Sequence, residues 1–119
     1  MTWTAARARF LARHVPPARP PLKVSAGDHL RVGELSEEWP GFRWCSDERG
    51  RGGWVPDRYL SHLADGEATA LRDYDATELA AIEGEIVSVI ELDEESGWLL
   101  CGNAAGESGW IPLRSVNPV

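Results

Sequence analysis

The chain has few of the residues from which enzymes and disulfide-bonded domains are usually built. Its 119 residues include two cysteines, three histidines and one methionine. Cys45 and Cys101 are too few for a disulfide framework or a four-cysteine metal site. There is no Ser/His/Asp or Cys/His motif, no HExxH and no glycine-rich phosphate loop. We therefore predict a non-enzymatic protein that holds no metal and no cofactor.

Long apolar runs are also lacking. No stretch approaches the ~20 apolar residues that a membrane-spanning helix needs. Residues 1–14 are basic but have no apolar segment of the kind found in a cleaved secretory signal. With only two cysteines as well, we expect a cytoplasmic protein without a membrane span.

Positive charge is scarce in the second half of the chain. Residues 1–63 hold ten basic and seven acidic side chains, whereas residues 64–119 hold two and twelve. The net charge of −7 and the pI near 4.9 argue against nucleic acid as a partner. The unequal halves predict either different roles or mutual attraction.

What the chain does contain is an internal repeat. Residues 26–56 match residues 83–112 with one inserted residue, so that Cys45 corresponds to Cys101 and Trp54 to Trp110. Two copies of one small domain are the simplest explanation. The predicted division is a tail at 1–7, a first domain at 8–62, a linker at 63–66 (within LADGEA) and a second domain at 67–119.

Short alternating segments separated by glycine and acidic turns predict an all-β fold for each copy. GWLLC (97–101) and GWIP (109–112) indicate a hairpin, and proline is expected at its strand end. The stretch 5–14 is compatible with a helix, but we prefer a first strand because ALRDYD (70–75) occupies that place in the second copy. The expected architecture is two tandem small β-barrels.

The order of motifs in the second copy resembles that of a Src-homology-3 (SH3) domain. ALRDYDATELAAIEGEIVSV, the tryptophan of GWLL and then GWIP follow the family pattern over residues 67–119. The first copy is similar to a divergent SH3 domain of the bacterial variant type, over residues 8–62. The resemblance implies tandem SH3-like barrels that act as protein-interaction modules.

SH3 domains bind polyproline-II peptides in aromatic-lined grooves. By position, the resemblance implies a groove in the second barrel that uses Tyr74, Glu78, Trp98, Trp110 and Pro112. Asp73, Asp75 and Glu83 would add negative charge that favours basic peptides. Arg72 and Ser115 replace two groove tyrosines, so weak binding of a basic, proline-rich peptide is expected.

In the first copy, Phe10–His14 takes the place of the ALYDY motif. The corresponding groove or interface residues are His14, Phe42, Trp54, Pro56 and Tyr59. The loop VPPARPPLK (15–23) is itself polyproline-like. We predict either a stiffened surface loop or a contact, within one chain or between two chains, through Pro16, Pro17, Arg19 and Pro20.

Other aromatic and basic residues leave alternatives open. Trp39 and Trp44, with Phe42, form either a surface cluster or part of a small core. The main alternative function is a structural scaffold whose barrels pack together with no groove in use. A third is binding of anionic polymers or surfaces through Arg7, Arg9, Arg13 and Arg19. Cys45 and Cys101 are expected to be buried free thiols.

Overall fold

A computed structural model describes residues 3–119 of the chain. The described part is all-β, with short strands and two 3-10 turns at Asp57–Tyr59 and Leu113–Ser115. The strands are β1 Arg7–Phe10, β2 Lys23–Val24, β3 His29–Leu35, β4 Phe42–Ser46, β5 Gly52–Pro56, β6 Leu60–His62, β7 Glu67–Ala70, β8 Tyr74–Asp75, β9 Ile86–Asp93, β10 Trp98–Gly102, β11 Ser108–Pro112 and β12 Val116–Pro118.

The strands fall into two compact units. The terminal unit combines the chain up to Ala18 with Thr77–Val119, and the internal unit is Arg19–Ala76. The chain therefore passes from one unit to the other after Ala18 and returns after Ala76.

The terminal unit is built on an antiparallel sheet with the strand order β11-β10-β9-β1-β12. β1 lies inside this sheet, where Ala8 pairs with Val87 of β9 and Phe10 with Val116 of β12. Its alternating pattern turns Ala8 and Phe10 into the core and leaves Arg7 and Arg9 exposed. The buried cluster that results is Ala8, Phe10, Leu79, Ala81, Val87, Leu99, Cys101, Ile111 and Val116.

The internal unit has a sheet with the order β5-β4-β3-β7-β6 and a small ladder between β2 and β8. β7 holds the place that β1 holds in the terminal unit, because Ala68 pairs with Leu30 and Ala70 with Leu60. The buried cluster is Leu22, Val24, Leu30, Cys45, Val55, Tyr59, Leu60, Ala68 and Ala70.

The units differ from the predicted domains 8–62 and 67–119. The predicted linker at 63–66 is the turn of a β6–β7 hairpin inside the internal unit, closed by a hydrogen bond from Leu63 N to Glu67 O of 2.7 Å. Asp65 and Gly66 have φ of 61° and 71° there. An Asp-Gly pair with positive φ is typical of tight hairpins. The turn returns the chain into the same sheet, so β7 completes the internal unit and β1 completes the terminal one.

Several element predictions agree with the structure. The 5–14 stretch contains strand β1, and GWLLC and GWIP form the paired strands β10 and β11. β1, from the first repeat, lies in the unit that holds most of the second repeat, and β7 lies in the unit that holds most of the first; we call this the exchange of β1 and β7. The charge difference between the two sequence halves is therefore not found between the two units. The terminal unit holds four basic and eight acidic residues, and the internal unit eight and eleven, so both are moderately acidic.

Candidate functional site

Two predicted groove residues, His14 and Tyr74, follow β1 and β7 into the units opposite to those predicted. Tyr74 was predicted to lie with Glu78, Trp98, Trp110 and Pro112, but it belongs to the internal unit. His14 occupies the equivalent place in the terminal unit. It forms a bridge with Ala81, as Tyr74 pairs with Val24. The terminal site is therefore assembled around an imidazole rather than a phenol.

His14 and Glu78 form the polar centre of the terminal site. The Nε2 atom of His14 lies 3.0 Å from Oε1 of Glu78, and both side chains are mostly buried. Because a carboxylate only accepts, the imidazole N–H is the donor of this hydrogen bond. The contact joins the segment before β2 to the segment that precedes β9, and it fixes the Glu78 carboxylate in place.

Glu78 is held beside Trp110 by the backbone. Trp110 N donates to Thr77 O at 2.8 Å, and Leu79 N donates to Trp110 O at 3.2 Å. Gly109 makes this close approach possible, because a Cβ atom there would lie 2.6 Å from Leu79 N. The glycine of the pattern Gly-Trp-Ile-Pro thus allows the Glu78 backbone to lie beside Trp110.

Trp98 and Pro112 are directly opposite each other in the β10–β11 ladder. Trp98 is half-buried and Pro112 is buried. Ala12 and Ser115 stand where further groove aromatics would be expected, and Ala12 is exposed. The terminal site therefore combines Trp98, Pro112 and Trp110 with the His14–Glu78 pair, and it has fewer aromatic rings than a typical SH3 groove.

The internal unit contains four of the five residues predicted for the first barrel, which are Phe42, Trp54, Pro56 and Tyr59. Phe42 pairs with Pro56 across the β4–β5 ladder, and Phe42 is buried. Tyr59 packs edge-on against Tyr74, with ring centroids 5.6 Å apart. Tyr74, and not His14, is therefore the residue of this unit that contacts Tyr59.

Phe42, Trp39 and Trp44, which were predicted to form either a surface cluster or part of a small core, lie in different environments. Trp44 pairs with Trp54 across the ladder, and their ring centroids lie 5.2 Å apart in an edge-on contact. Gly52 leaves the space that the Trp44 indole fills, since a Cβ atom there would lie 2.3 Å from Cζ2. Phe42 is a core residue, while Trp39 and Trp44 are half-buried.

The polyproline-like loop is divided between the units. Pro16 and Pro17 belong to the terminal unit, whereas Arg19 and Pro20 belong to the internal unit. The guanidinium carbon of Arg19 lies 5.1 Å from the centroid of the Trp44 ring. Arg19 therefore belongs to a different unit from the exposed Arg7, Arg9 and Arg13, with which it was grouped as an anionic-polymer site.

The acidic residues Asp73 and Asp75 are likewise placed in the internal unit. The Asp73 carboxylate accepts a hydrogen bond of 2.8 Å from Ala26 N, and Asp75 lies 3.9 Å from Lys23 Nζ. Of the three acids expected to surround the second groove, only Glu83 remains in the terminal unit. Glu78 is the acidic group that contacts this groove.

Sequence reasoning missed a polar cluster in the internal unit. Asp57 Oδ1 accepts hydrogen bonds from Arg43 Nε at 2.8 Å and His62 Nε2 at 2.7 Å. The Arg43 bond is the main reason that the pKa of Asp57 lies below its ordinary value of 3.8; the His62 bond acts the same way, and partial burial opposes both. Arg43 stands where the terminal unit has buried Leu99, and no local sequence signal pairs it with Asp57.

Cys45 and Cys101 are free and buried, as predicted. Burial raises the pKa of both thiols to about 11. Near neutral pH both side chains are protonated and apolar, which suits packing and not nucleophilic chemistry.

No group of three or more metal-ligating side chains occurs within residues 3–119. Over the same residues, no helix is long and apolar enough to cross a bilayer.

Part of the chain is similar to a known family. The SH3 domain model matches residues 69–113. The match begins in β7 and includes β8, both in the internal unit, and continues through β9, β10 and β11 of the terminal unit. No curated protein and no solved structure matches the chain. SH3 domains are in general non-catalytic protein–protein interaction modules.

Proposed function

We propose that the chain is an interaction module in which the terminal unit binds a basic, proline-rich segment of a partner protein. The proposed binding residues are His14, Glu78, Trp98, Trp110 and Pro112. The placement of the Glu78 backbone against Trp110 is the observation that carries the proposal. It puts an anchored carboxylate next to an indole, which is the pairing that a cationic side chain on an apolar peptide requires.

The two parts of such a ligand would meet different groups. Prolines of a polyproline-II segment pack against the Trp98 indole and the neighbouring Pro112, at low entropic cost because the ligand is already extended. A ligand arginine or lysine pairs with the Glu78 carboxylate. Ala12 and Ser115 reduce the aromatic surface, so we expect a Kd on the order of tens of micromolar, about −6 kcal/mol.

The two units have equivalent strand orders, which supports the further proposal that both are SH3-like barrels. In this proposal each barrel takes its first strand from the other repeat. The free thiols of Cys45 and Cys101 support a reducing compartment, and we propose the cytoplasm.

A titration of the full chain with a short arginine-containing PxxP peptide tests the proposal by two-dimensional NMR. Resonances of His14, Trp98 and Trp110 should shift together, and Trp98→Ala should remove most of the affinity. Glu78→Lys should abolish the preference for the peptide over its Arg→Gln analogue. Glu91→Lys, an equal charge change at an exposed position of β9, is the control.

Shifts that map outside these residues, or equal losses from Glu78→Lys and Glu91→Lys, would show that this groove is not the site. If no peptide binds, the structural-scaffold alternative is favoured.

A further inference from the structure

The internal unit carries two exposed arginines that share one aromatic ring. Arg58 and Arg72 both lie over the ring of Tyr59, with their guanidinium carbons 4.7 Å and 4.6 Å from its centroid. Arg58 Nη2 lies 3.2 Å and Arg72 Nη1 3.5 Å from the Tyr59 hydroxyl. Because they contact the same oxygen, these two nitrogens lie no more than about 7 Å apart.

This two-arginine face, defined by Arg58, Tyr59, Arg72 and Tyr74, is held in place by packing. Tyr59 is 9% exposed and belongs to the buried cluster, while Tyr74 packs edge-on against it. The two arginines are themselves exposed. Rigid aromatic rings thus support two guanidinium groups at the surface, and a guanidinium stacked on an aromatic ring loses less freedom on binding.

Neighbouring carboxylates do not neutralise Arg72. In the described chain its guanidinium has neutral partners, which are the Tyr59 ring and hydroxyl and the carbonyl oxygen of Asp73 at 3.4 Å. The carboxylate of Asp73, next to Arg72 in the sequence, accepts a hydrogen bond from Ala26 N. The positive charge of Arg72 therefore remains at the surface.

We propose that the two-arginine face binds an acidic peptide segment of a partner protein, with a ligand carboxylate between Arg58 and Arg72. Paired N–H donors of a guanidinium match a carboxylate, and such charge-assisted bonds are stronger than neutral ones. Apolar residues of the ligand pack against the half-buried Tyr74. The unit's eleven acidic residues disfavour an extended polyanion such as nucleic acid, which leaves a short segment as the better fit.

The proposal is independent of the terminal groove, because the residues and the ligand charge are different. Its test uses the full chain and a synthetic peptide with adjacent glutamates among leucines and prolines. The comparison peptide has glutamines in place of the glutamates. The glutamate peptide should shift the resonances of Tyr59 and Tyr74, and the glutamine peptide should not.

Arg72→Gln and Arg58→Gln should each weaken binding of the glutamate peptide by roughly tenfold, the value of one lost charge-assisted hydrogen bond. Arg72→Lys should recover only part of the loss, since lysine keeps the charge but not the planar donor pair. Arg49→Gln, an equal charge change at an exposed turn of the same unit, should have no effect. An unchanged amide spectrum would show that the variants remain folded.

The proposal is overturned if neither peptide binds, if both bind equally, or if Arg49→Gln weakens binding as much as Arg72→Gln. A single-stranded oligonucleotide that shifts the same resonances at lower concentration would assign the face to nucleic acid instead. Loss of binding by Trp98→Ala would place the peptide in the terminal groove.

Discussion

Cys45 and Cys101 sit at equivalent places in β4 and β10, opposite Gly53 and Gly109. Their raised pKa values of about 11 mean that thiolate is scarce below pH 9. We predict that both thiols react slowly with iodoacetamide at pH 8 in the native chain and quickly in urea. The measurement is mass spectrometry of the alkylated chain over time, and rapid native labelling at pH 8 would contradict it.

The same shift has a consequence for stability. A thiol whose pKa is raised by folding favours the folded state up to its unfolded pKa near 9.0, and that advantage is lost as the pH rises toward 11. The free energy of unfolding should therefore decline above pH 9. A Cys45→Ala, Cys101→Ala variant should show a smaller decline, although the cavities lower its stability at every pH.

Asp57 shows the opposite pH dependence. Its pKa is lowered in the folded state, so its contribution to stability is present above its ordinary pKa of 3.8 and is lost as the pH falls through the folded value. We predict that Asp57→Asn destabilises the protein at pH 7, and that the difference from wild type shrinks below pH 3. Urea denaturation at the two pH values measures this. Asp65→Asn, at an exposed turn, is the control.

Residue environments were only partly predictable from the sequence. The burial of the cysteines follows from strand periodicity, which is local. The Arg43–Asp57–His62 cluster and the two arginines on Tyr59 join residues from separate elements. Their pairing depends on strand register and on the path of the loops, which no spacing rule supplies.

At the scale of elements, the Asp65-Gly66 turn closes the hairpin through which β7 joins the internal sheet. Both residues have positive φ. Gly66→Ala places a side chain in the left-handed region and should lower the free energy of unfolding by about 1 kcal/mol. Gly102→Ala has no such strain and meets only ordinary contacts, 3.5 Å from Ile90 Cδ1, so a smaller effect is expected. Equal effects in urea denaturation would contradict this role for the turn.

The same Asp-Gly pair is the sequence feature that distinguishes a linker from a hairpin at this position. A first strand within 5–14 and a hairpin of 97–101 and 109–112 were predicted from alternation and from the repeat, and the structure has β1, β10 and β11 there. The segment LADGEA was interpreted as a linker because it is short and rich in small residues. An Asp-Gly pair between strand-like segments is equally a hairpin signal, and the structure shows that the hairpin is the outcome.

At the scale of the whole molecule, the sizes of the core residues account for the exchange of β1 and β7. Matched by register, the terminal core has the smaller residue at several places where the internal core has the larger one. The pairs, terminal residue first, are Ala81 and Val24, Val87 and Leu30, Val116 and Leu60, and Ser115 and Tyr59. Phe10 and Ile111 are reverse cases, since their counterparts in the internal core are the smaller Ala70 and Val55. The larger first strand therefore fills the core that has more room.

A repeat in the sequence indicates two similar domains, but it cannot show which copy of a strand joins which domain. Both copies of the first strand satisfy the same backbone pairing. The choice depends on side-chain volume, because cavities and overpacking each cost free energy in a close-packed core. The contiguous SH3 match at 69–113 illustrates the limit, since its strands β7 and β8 lie in one unit and β9, β10 and β11 in the other.

The volume argument predicts how the chain responds when the two side chains are exchanged. Phe10→Ala should leave a cavity and cost about 3–5 kcal/mol. Ala70→Phe should overpack the internal core and cost about 1–3 kcal/mol. In the double variant, strand β7 carries the phenylalanine that the terminal core accommodates. We therefore expect the double variant to be more stable than the sum of the single effects allows, as measured by urea denaturation.

Nuclear Overhauser effects identify the strand placement directly. In the wild type, Val87 should show contacts to Ala8, its partner in the ladder, and Leu30 to Ala68. In the double variant, Val87 should instead contact Ala68, because the first strand of each unit is then supplied by its own repeat. Strictly additive destabilisation, with the Ala8–Val87 contact retained, would show that core volume does not determine the exchange and that the Asp65-Gly66 turn alone directs it.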